Sequence, residues 1–447
     1  MFKRVLIANR GEIAVRVIRA CREMGITSIA VYSTADKNSL HALLADESIC
    51  IGPPEPSESY LKIPNIISAA EITDAQAVHP GYGFLSESAK FASICRDCHI
   101  TFIGPTPEAI SLSGDKSACR QAVKAAGVPI VPGSEGIIKE PQHALEVAQK
   151  IGFPVLVKAS AGGGGKGMRI AHTEATLKNA VTLATTEAQA AFGDSGVYLE
   201  KFLEGARHIE FQIMGDSHGR VFTYGERECS IQRRHQKLIE ETPSTALSNS
   251  LRAKMAKAAL RAAKGIGYTN AGTAEFLLAP DGQFFFIEFN ARIQVEHPVT
   301  EEVTSVDLVQ EQLRVAAGEA LSSSSVRPEG ASIEARVYAE DPEMNFRPSP
   351  GIIKRCHLPG GPGIRVDTHL FSGYEVPRYY DSLLAKVIAR GQTRDQAIER
   401  LSGALDEFVT EGVKNTAKLC ARIVRGDRFR RGDLGPDLLE EYLPSDR

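Results

Sequence analysis

Gly272-Thr273-Ala274-Glu275-Phe276-Leu277-Leu278-Ala279-Pro280-Asp281-Gly282-Gln283-Phe284-Phe285-Phe286-Ile287-Glu288-Phe289-Asn290 is the stretch on which the fold turns. Two apolar runs meet at Asp281-Gly282, the strongest short-range hairpin signal. With those two as the central turn residues, counting back along both strands places Glu275 opposite Glu288 on one face. Two carboxylates about 5 Å apart at an effective dielectric near 20 repel by roughly 3 kcal/mol. A cation therefore belongs between them. Mg²⁺ is held by one or two carboxylates plus substrate phosphates, and Asn290 adds an oxygen donor on the same face, so the pattern predicts a metal–nucleotide site. The alternation runs on: Glu288, Asn290, Arg292, Gln294 and Glu296 are polar, while Phe289, Ala291, Ile293 and Val295 are apolar, a period-two strand stripe. A merely solvated amphipathic strand is the competing reading. Runs such as Phe284 to Ile287 argue against it, because they belong to strands covered on both faces.

Upstream, Val155-Leu156-Val157-Lys158-Ala159 leads into Gly162-Gly163-Gly164-Gly165-Lys166-Gly167 and then Met168-Arg169-Ile170-Ala171. Gly162, Gly164 and Gly167 satisfy G-x-G-x-x-G, but a dinucleotide fold needs a helix at once, whereas a returning strand is predicted here and the next helix starts near Glu174. Walker A fails because Gly167, not Ser or Thr, follows Lys166. The kinase H-R-D and D-F-G elements are missing. Strand, glycine loop and strand make a flap whose bare N–H groups can close on phosphate oxygens, with Lys158 as a point charge. Between flap and hairpin, Glu226 to Glu241 packs Arg227, Arg233, Arg234, His235 and Lys237 between acids, which points to ion pairing and anion binding inside a site.

The first hundred residues alternate strands (Arg4 to Ala8, Ser28 to Tyr32, Ala77-Val78, Thr101 to Ile103) with helices such as Glu12 to Met24, an open, doubly wound parallel α/β unit. Its first turn, Ala8-Asn9-Arg10-Gly11-Glu12, lacks the dinucleotide fingerprint. The loop His79-Pro80-Gly81-Tyr82-Gly83-Phe84-Leu85-Ser86-Glu87 lies where open sheets bind ligands. A polar run from Leu321 to Gly330 marks a linker, followed by strands at Ile333 to Ala339, Ile352 to His357 and Leu383 to Ile388 and a helix from Arg394 to Phe408. The domains so predicted span 1–113, 114–320 with a flap at about 131–203, and an α+β unit at 331–447.

A 447-residue chain, 43% hydrophobic and 24% charged, has the composition of a globular protein of about three domains. A net charge of −3 gives no pull toward nucleic acid or anionic membrane. No apolar run is long enough to span a bilayer, and the N-terminus is not a secretory signal; a cytosolic protein is expected, or an organellar one after loss of a transit peptide. Eight scattered cysteines read as reduced thiols. Cys95-Arg96-Asp97-Cys98-His99 matches the haem-attachment pattern, but it sits where a helix runs into a strand, and the match is coincidental.

Taken together, Ala8-Asn9-Arg10-Gly11-Glu12-Ile13-Ala14, the His79–Glu87 loop, the glycine flap, Gln232-Arg233-Arg234-His235-Gln236-Lys237 and Phe289 to His297 resemble the biotin carboxylases among the ATP-grasp ligases, over essentially the whole chain. The resemblance implies ATP contacts from Lys116, Lys158, Gly163, Gly164, Gly165, Glu200, Lys201, Phe202, Leu203, His208, Gln232 and His235, and a Mg²⁺ or Mn²⁺ site at Glu275, Glu288 and Asn290. It implies a bicarbonate pocket at Lys237, Arg292, Gln294 and Val295, where a guanidinium fork suits a planar oxyanion. Glu296 would be the general base and Arg336 the stabiliser of the biotin enolate, with Tyr82 and Asp381 near the biotin. The implied activity is ATP-dependent carboxylation of biotin within acetyl-CoA carboxylase, or within a pyruvate or propionyl-CoA carboxylase, and the implied assembly is a homodimer working with carboxyltransferase subunits. A carboxylate–amine ligase should lack the acid/base stripe, and a non-catalytic nucleotide-binding regulator should have lost a metal carboxylate or Lys237. The residues from Asp427 to Arg447 contain no lysine, and the only Lys-Met pair, Lys254-Met255, falls in a predicted helix. Biotin is therefore expected on a separate biotin carboxyl carrier protein.

Overall fold

The computed structural model describes residues 1–138, 140–159, 168–192, 196–234, 236–321 and 326–443. Strands β1 (Arg4–Ile7), β2 (Thr27–Ser33), β3 (Glu47–Gly52), β4 (Ala77–His79) and β5 (Thr101–Phe102) form a parallel sheet in the order β3-β2-β1-β4-β5. Helix α1 (Gly11–Glu23) follows β1, and Gly11 enters it at φ +68°, a conformation that favours glycine. Strand β3 went unpredicted because it is an edge strand with Glu47, Ser48 and Cys50 facing solvent, so it lacks an apolar run.

A three-stranded antiparallel sheet, β6 (Val155–Ala159), β7 (Arg169–Ala171) and β8 (Val197–Lys201) in the order β7-β6-β8, carries the glycine run between β6 and β7. The remaining strands of the site are β9 (Arg207–Gly215), β10 (Val221–Arg233), β11 (Gln236–Thr242), β12 (Asn270–Leu278), β13 (Phe284–Asn290), β14 (Ala331–Tyr338), β15 (Ile364–Thr368) and β16 (Leu383–Gly391). They make one antiparallel sheet in the order β13-β12-β9-β10-β11-β14-β16-β15, continuous across the predicted linker.

Helix α2 (Asn249–Gly265), capped by the Ser248 side chain accepting from Leu251 N–H, packs its buried Met255, Ala258, Ala259, Ala262 and Ala263 among Phe211, Phe276 and Phe286. Small residues on the helix let the rings fill the layer, each contributing roughly 2–3 kcal/mol of burial. Helix α3 (His297–Thr304) lies against β10, β11, β14 and β16.

Three predicted local structures differ. The strand expected from Ile352 to His357 is two short pieces in separate two-stranded sheets, Gly351–Ile352 paired with Glu375–Val376 and Arg355–His357 paired with Val409–Glu411. The hairpin turn has three residues, Pro280 to Gly282: Ala279 N–H donates to Gln283 O at 2.8 Å, Gly282 N–H to Ala279 O at 2.9 Å, and Gly282 sits at φ +84°. Phe276 consequently pairs with Phe286, one step off the count, but a bulge at Ile287 restores the register, and Glu275 does face Glu288. The period-two stripe also ends early. Strand β13 stops at Asn290, and Arg292, Gln294 and Glu296 lie on an extended connection into α3, where His297 N–H donates back to Gln294 O. Pro298 at the start of α3 fixes that helix entry, so polar alternation here follows a loop rather than a pleat.

Candidate active site

Cross-strand register sets the site. Glu288 of β13 faces Glu275 of β12, Glu275 faces Glu210 of β9, and Glu210 faces Arg227 of β10. Three carboxylates thus stand side by side on one sheet face, an arrangement that needs several cations. Arg227, fully buried, donates to Glu210 Oε1 at 2.5 Å and to Gln212, Thr273 and Thr300. Lys237, at the start of β11, donates to Glu210 Oε2 at 2.5 Å, Glu275 Oε1 at 3.3 Å and Glu296 Oε1 at 2.5 Å. Burial works against its charge, but Glu210, Glu275 and Glu296 outweigh it and hold Lys237 firmly protonated. His208 on β9 places Nε2 3.0 Å from Glu275 and Nδ1 2.9 Å from Gln232.

The end of the row differs. Burial would raise the Glu275 pKa, but Lys237 and His208 overcome it and keep the group ionised, whereas burial and then Glu275 itself push the Glu288 pKa up. The negative charge on Glu288 is thus poorly compensated beside two further oxygen donors, Glu275 and Asn290. That all-oxygen set fits Mg²⁺ or Mn²⁺. Asn290 donates to Glu275 Oε1 at 2.8 Å and accepts from Arg292 at 3.2 Å.

Glu296 is fully buried behind this row. Its Oε2 accepts from Arg336 at 2.8 Å, and Arg336 also pairs with Glu240 of β11. Burial favours the protonated acid, but Lys237, Arg336 and Arg227 prevail and hold Glu296 well below the usual carboxylate range. It is an ionised base. Glu240, which faces the fully buried Glu334 across β11 and β14, is pushed by burial to about 7 despite Arg336. The Arg292 guanidinium spans Glu87 at 3.1 Å and Gln294 at 2.8 Å, and Gln294 also reaches Glu275 at 3.3 Å.

One cleft of about 1470 Å³ is lined by Lys116, Lys158, Glu200, Lys201, Phe202, Leu203, His208 and Gln232, by Glu275, Glu288 and Asn290, and by Lys237, Arg292, Gln294, Val295, Arg336, Tyr82 and Asp381. Glu296 is not part of that lining; it lies fully buried behind Lys237 and Arg336. Glu200 at the end of β8 pairs with Lys158 and Arg120, and Lys201 donates to Gly152 O and Phe153 O. Gly163, Gly164, Gly165 and His235 lie outside the described residues. Glu210 went unpredicted, as did the apolar lining Met168, Leu277 and Ile287. Arg227 and Glu240 belong to the stretch expected to pair ions and Glu87 to the expected ligand loop, but their particular partners, Glu210, Arg336 and Arg292, were not foreseen. A signal existed for Glu210: His208, Glu210 and Gln212 alternate with Ile209, Phe211 and Ile213.

A small three-stranded sheet and a large antiparallel sheet with paired carboxylates, both contributing residues to one cleft, fit the ATP-grasp architecture. Family models agree: "Biotin carboxylase, N-terminal domain" matches residues 1–110, "Carbamoyl-phosphate synthase L chain, ATP binding domain" 115–324, and "Biotin carboxylase C-terminal domain" 334–441. A biotin carboxylase of Nostoc sp. is 55% identical over 98% of this chain and 99% of its own. The crystal structure of a Campylobacter jejuni biotin carboxylase–βγ-ATP complex superposes with a TM-score of 0.95 at 46% identity, covering 99% of each chain. The biotin carboxylase domain dimer of Hydrogenobacter thermophilus 2-oxoglutarate carboxylase, with MgADP, ADP and bicarbonate, gives 0.94 at 48% identity, covering 99% of this chain and 98% of that one. The chain belongs to the biotin carboxylase family of ATP-dependent ligases. Among the described residues no helix is long and apolar enough to cross a membrane.

Proposed function

We propose that this chain carboxylates biotin with bicarbonate and ATP through carboxyphosphate, the first half-reaction of acetyl-CoA carboxylase in fatty acid synthesis. The observation that carries the reading is the ionised, buried Glu296, held by Lys237 and Arg336, which themselves line the cleft together with the Glu275–Glu288 pair. Glu200 to Leu203, with Met168, Leu277 and Ile287, offer the purine a slot with an apolar lining, and Lys116, Lys158, His208 and Gln232 of the same cleft meet the ribose and phosphates. His235 and the flap glycines Gly163 to Gly165 are assigned to the nucleotide by the family resemblance alone. Glu275, Glu288 and Asn290 would hold Mg²⁺ or Mn²⁺, which neutralises phosphate charge during transfer. Lys237, Arg292, Gln294 and Val295 seat bicarbonate. Glu296 removes its proton, the resulting oxyanion attacks the γ-phosphorus, and ADP leaves. Carboxyphosphate then splits into CO₂ and phosphate, the phosphate takes the ureido N–H proton, and the nitrogen bonds to CO₂ while Arg336 faces the ureido oxygen on which charge develops, with Tyr82 and Asp381 nearby.

The three parts of the chain act as 1–113, 114–320 with its flap near 131–203, and 331–447, a division the matched family segments support. The working form is a homodimer, supported by the dimeric 2-oxoglutarate carboxylase domain, which also names the competing assignment to another biotin-dependent carboxylase. Biotin arrives on a separate carrier protein and passes its carboxyl group to carboxyltransferase subunits. Supporting this, Lys254-Met255 lies within α2 with Met255 buried, not in the exposed turn that biotinylation requires. The test is phosphate release with free biotin, with and without bicarbonate, alongside counting of labelled carboxybiotin. Bicarbonate-dependent release with label fixed in biotin is expected, and a chain that cleaves ATP without bicarbonate would overturn the reading.

A further inference from the structure

The Asn9-Arg10-Gly11-Glu12 turn lines the cleft, yet none of the steps above uses it. Each of its polar side chains grips a different element. Asn9 Nδ2 donates to Pro80 O and Tyr82 O, each at 2.7 Å, and fixes the backbone of the His79–Glu87 loop. Arg10 forks onto Asp36 at 2.6 and 2.7 Å, donates to the Tyr374 hydroxyl, and lies 4.3 Å from the ring centroid of Tyr380, next to Asp381. Glu12 goes deepest. Its Oε1 accepts from the Tyr82 hydroxyl and pairs at 3.1 Å with Lys386, while its Oε2 is buried without a hydrogen-bond partner.

Lys386 is fully buried on β16, opposite Arg336 of β14 in the sheet register. Besides Glu12 it has Asp367 at 3.8 Å, and it donates to the Val295 carbonyl at 3.0 Å. One ammonium group thus ties three walls of the cleft: the Tyr82 hydroxyl through Glu12, the Val295 backbone directly before Glu296, and the strand pair that carries Arg336. A buried lysine with two carboxylates costs desolvation that apolar packing would avoid, so bare stability is a poor reason for it. Holding reacting groups in register is a better one.

We infer that Lys386 and Glu12 are positioning residues for the end of the cleft where bicarbonate and biotin react: Lys386 sets the Val295–Glu296 backbone, and Glu12 sets Tyr82. The inference rests on the reading of that end as the biotin site. It separates the two residues. Glu12→Gln keeps the Lys386–Val295 bond and the Asp367 carboxylate beside Lys386 while it loosens Tyr82 and removes the Glu12–Lys386 ion pair, whereas Lys386→Met releases the Val295 backbone as well, and Glu12→Gln/Lys386→Met does so without leaving Glu12 a buried, unpaired carboxylate should the single variant fail to fold.

The experiment measures three quantities for wild type and each variant: nucleotide affinity, bicarbonate-dependent ATP cleavage without biotin, and the KM and kcat for free biotin. For Glu12→Gln the KM for biotin should rise about tenfold, with biotin-independent cleavage within about twofold of wild type. For the variants lacking Lys386, kcat should fall on the order of 10²-fold in both assays, with nucleotide affinity within about twofold. A purely structural role would lower the melting temperature while biotin KM and both kcat values stayed within about twofold, and that result overturns the inference, as does a parallel loss of nucleotide affinity. Failure of the underlying reading is a distinct result: wild type would then show no biotin-stimulated, bicarbonate-dependent cleavage at all.

Discussion

In the parallel sheet, Val5, Leu6 and Ile7 of β1 and Ile29, Ala30 and Val31 of β2 are fully buried and uncharged. In the antiparallel sheet Glu210, Arg227, Glu240, Glu334 and Lys386 are buried as deeply. The first sheet is held by apolar contact and would tolerate a hydrophobic residue of similar volume. The second holds charges that are bearable only in company, since a buried ion left without its partner destabilises by several kcal/mol. Function follows the second pattern. A row of carboxylates fixed by strand register has pre-set geometry, and which members carry a proton or need a cation is decided by neighbours one strand away.

The largest effect should come where charge is least compensated. Glu288→Gln and Glu275→Gln should each reduce metal-dependent ATP cleavage on the order of 10³-fold, because each removes a ligand from the cation. Their stabilities should diverge. Glu288→Gln relieves repulsion with Glu275 and should melt no lower than wild type, whereas Glu275→Gln takes from His208 its nearest carboxylate, while Lys237 keeps Glu210 and Glu296, and should lose roughly 2 kcal/mol. Calorimetry beside a phosphate-release assay checks both. Equal stability losses would erase the distinction between the ends of the row.

Arg292→Ala and Glu296→Ala should lower bicarbonate-dependent turnover on the order of 10²-fold with little change in ATP binding. Because Lys237, Arg336 and Arg227 outweigh burial and hold Glu296 well below the ordinary range, no loss of activity between pH 6 and 8 should trace to its protonation. Steady-state kinetics against bicarbonate across that range, with nucleotide binding measured separately, would expose the opposite: an acid limb near neutrality that Glu296→Ala removes.

Glu240 tests the sheet's charge balance with a smaller signal. Burial raises its pKa from an ordinary carboxylate value to about 7, so the folded state binds its proton more tightly than the unfolded chain does. Its contribution to stability is therefore fully present below the unfolded pKa and is lost as pH rises through about 7. Relative to wild type, Glu240→Gln should gain in melting temperature as pH climbs from 5 to 8. A difference that stays flat across those values would mean that Arg336 fully neutralises Glu240.

The same contrast explains what could be read in advance. The parallel unit was legible because uncharged runs between amphipathic helices have few other readings. At the hairpin, Glu275 does oppose Glu288, although the turn has three residues: the bulge at Ile287 cancels the error, and sequence gives no sign of a bulge. Arg292 to Glu296 alternates like a strand because a loop entering a helix under a covered sheet also turns successive side chains to opposite sides. Glu210 went unnoticed since a charged strand position ordinarily means solvent, and although Arg227 and Glu240 stand in the stretch that the sequence marks for ion pairing, their partners do not show there: Arg227 pairs with Glu210 on the neighbouring strand, and Glu240 with Arg336 far along the chain. Charge pairing across a sheet is a property of topology, which local pattern does not encode.

The smallest effect belongs in the other sheet. Ile29→Val removes one methylene from a fully buried, uncharged site in β2, and it should cost about 1 kcal/mol through lost transfer energy and a small cavity. Both turnover and the KM for biotin should stay within about twofold of wild type, because no charge moves and the strand register is kept. Denaturant unfolding and the phosphate-release assay report the two halves of that outcome. Set beside Glu288→Gln, it makes a crossed pair: one substitution lowers stability and spares chemistry, the other spares stability and removes chemistry. If Ile29→Val instead depressed turnover tenfold, the parallel sheet would have to be passing strain to the cleft through α1 and the Asn9–Glu12 turn, and the division of labour between the sheets would fail.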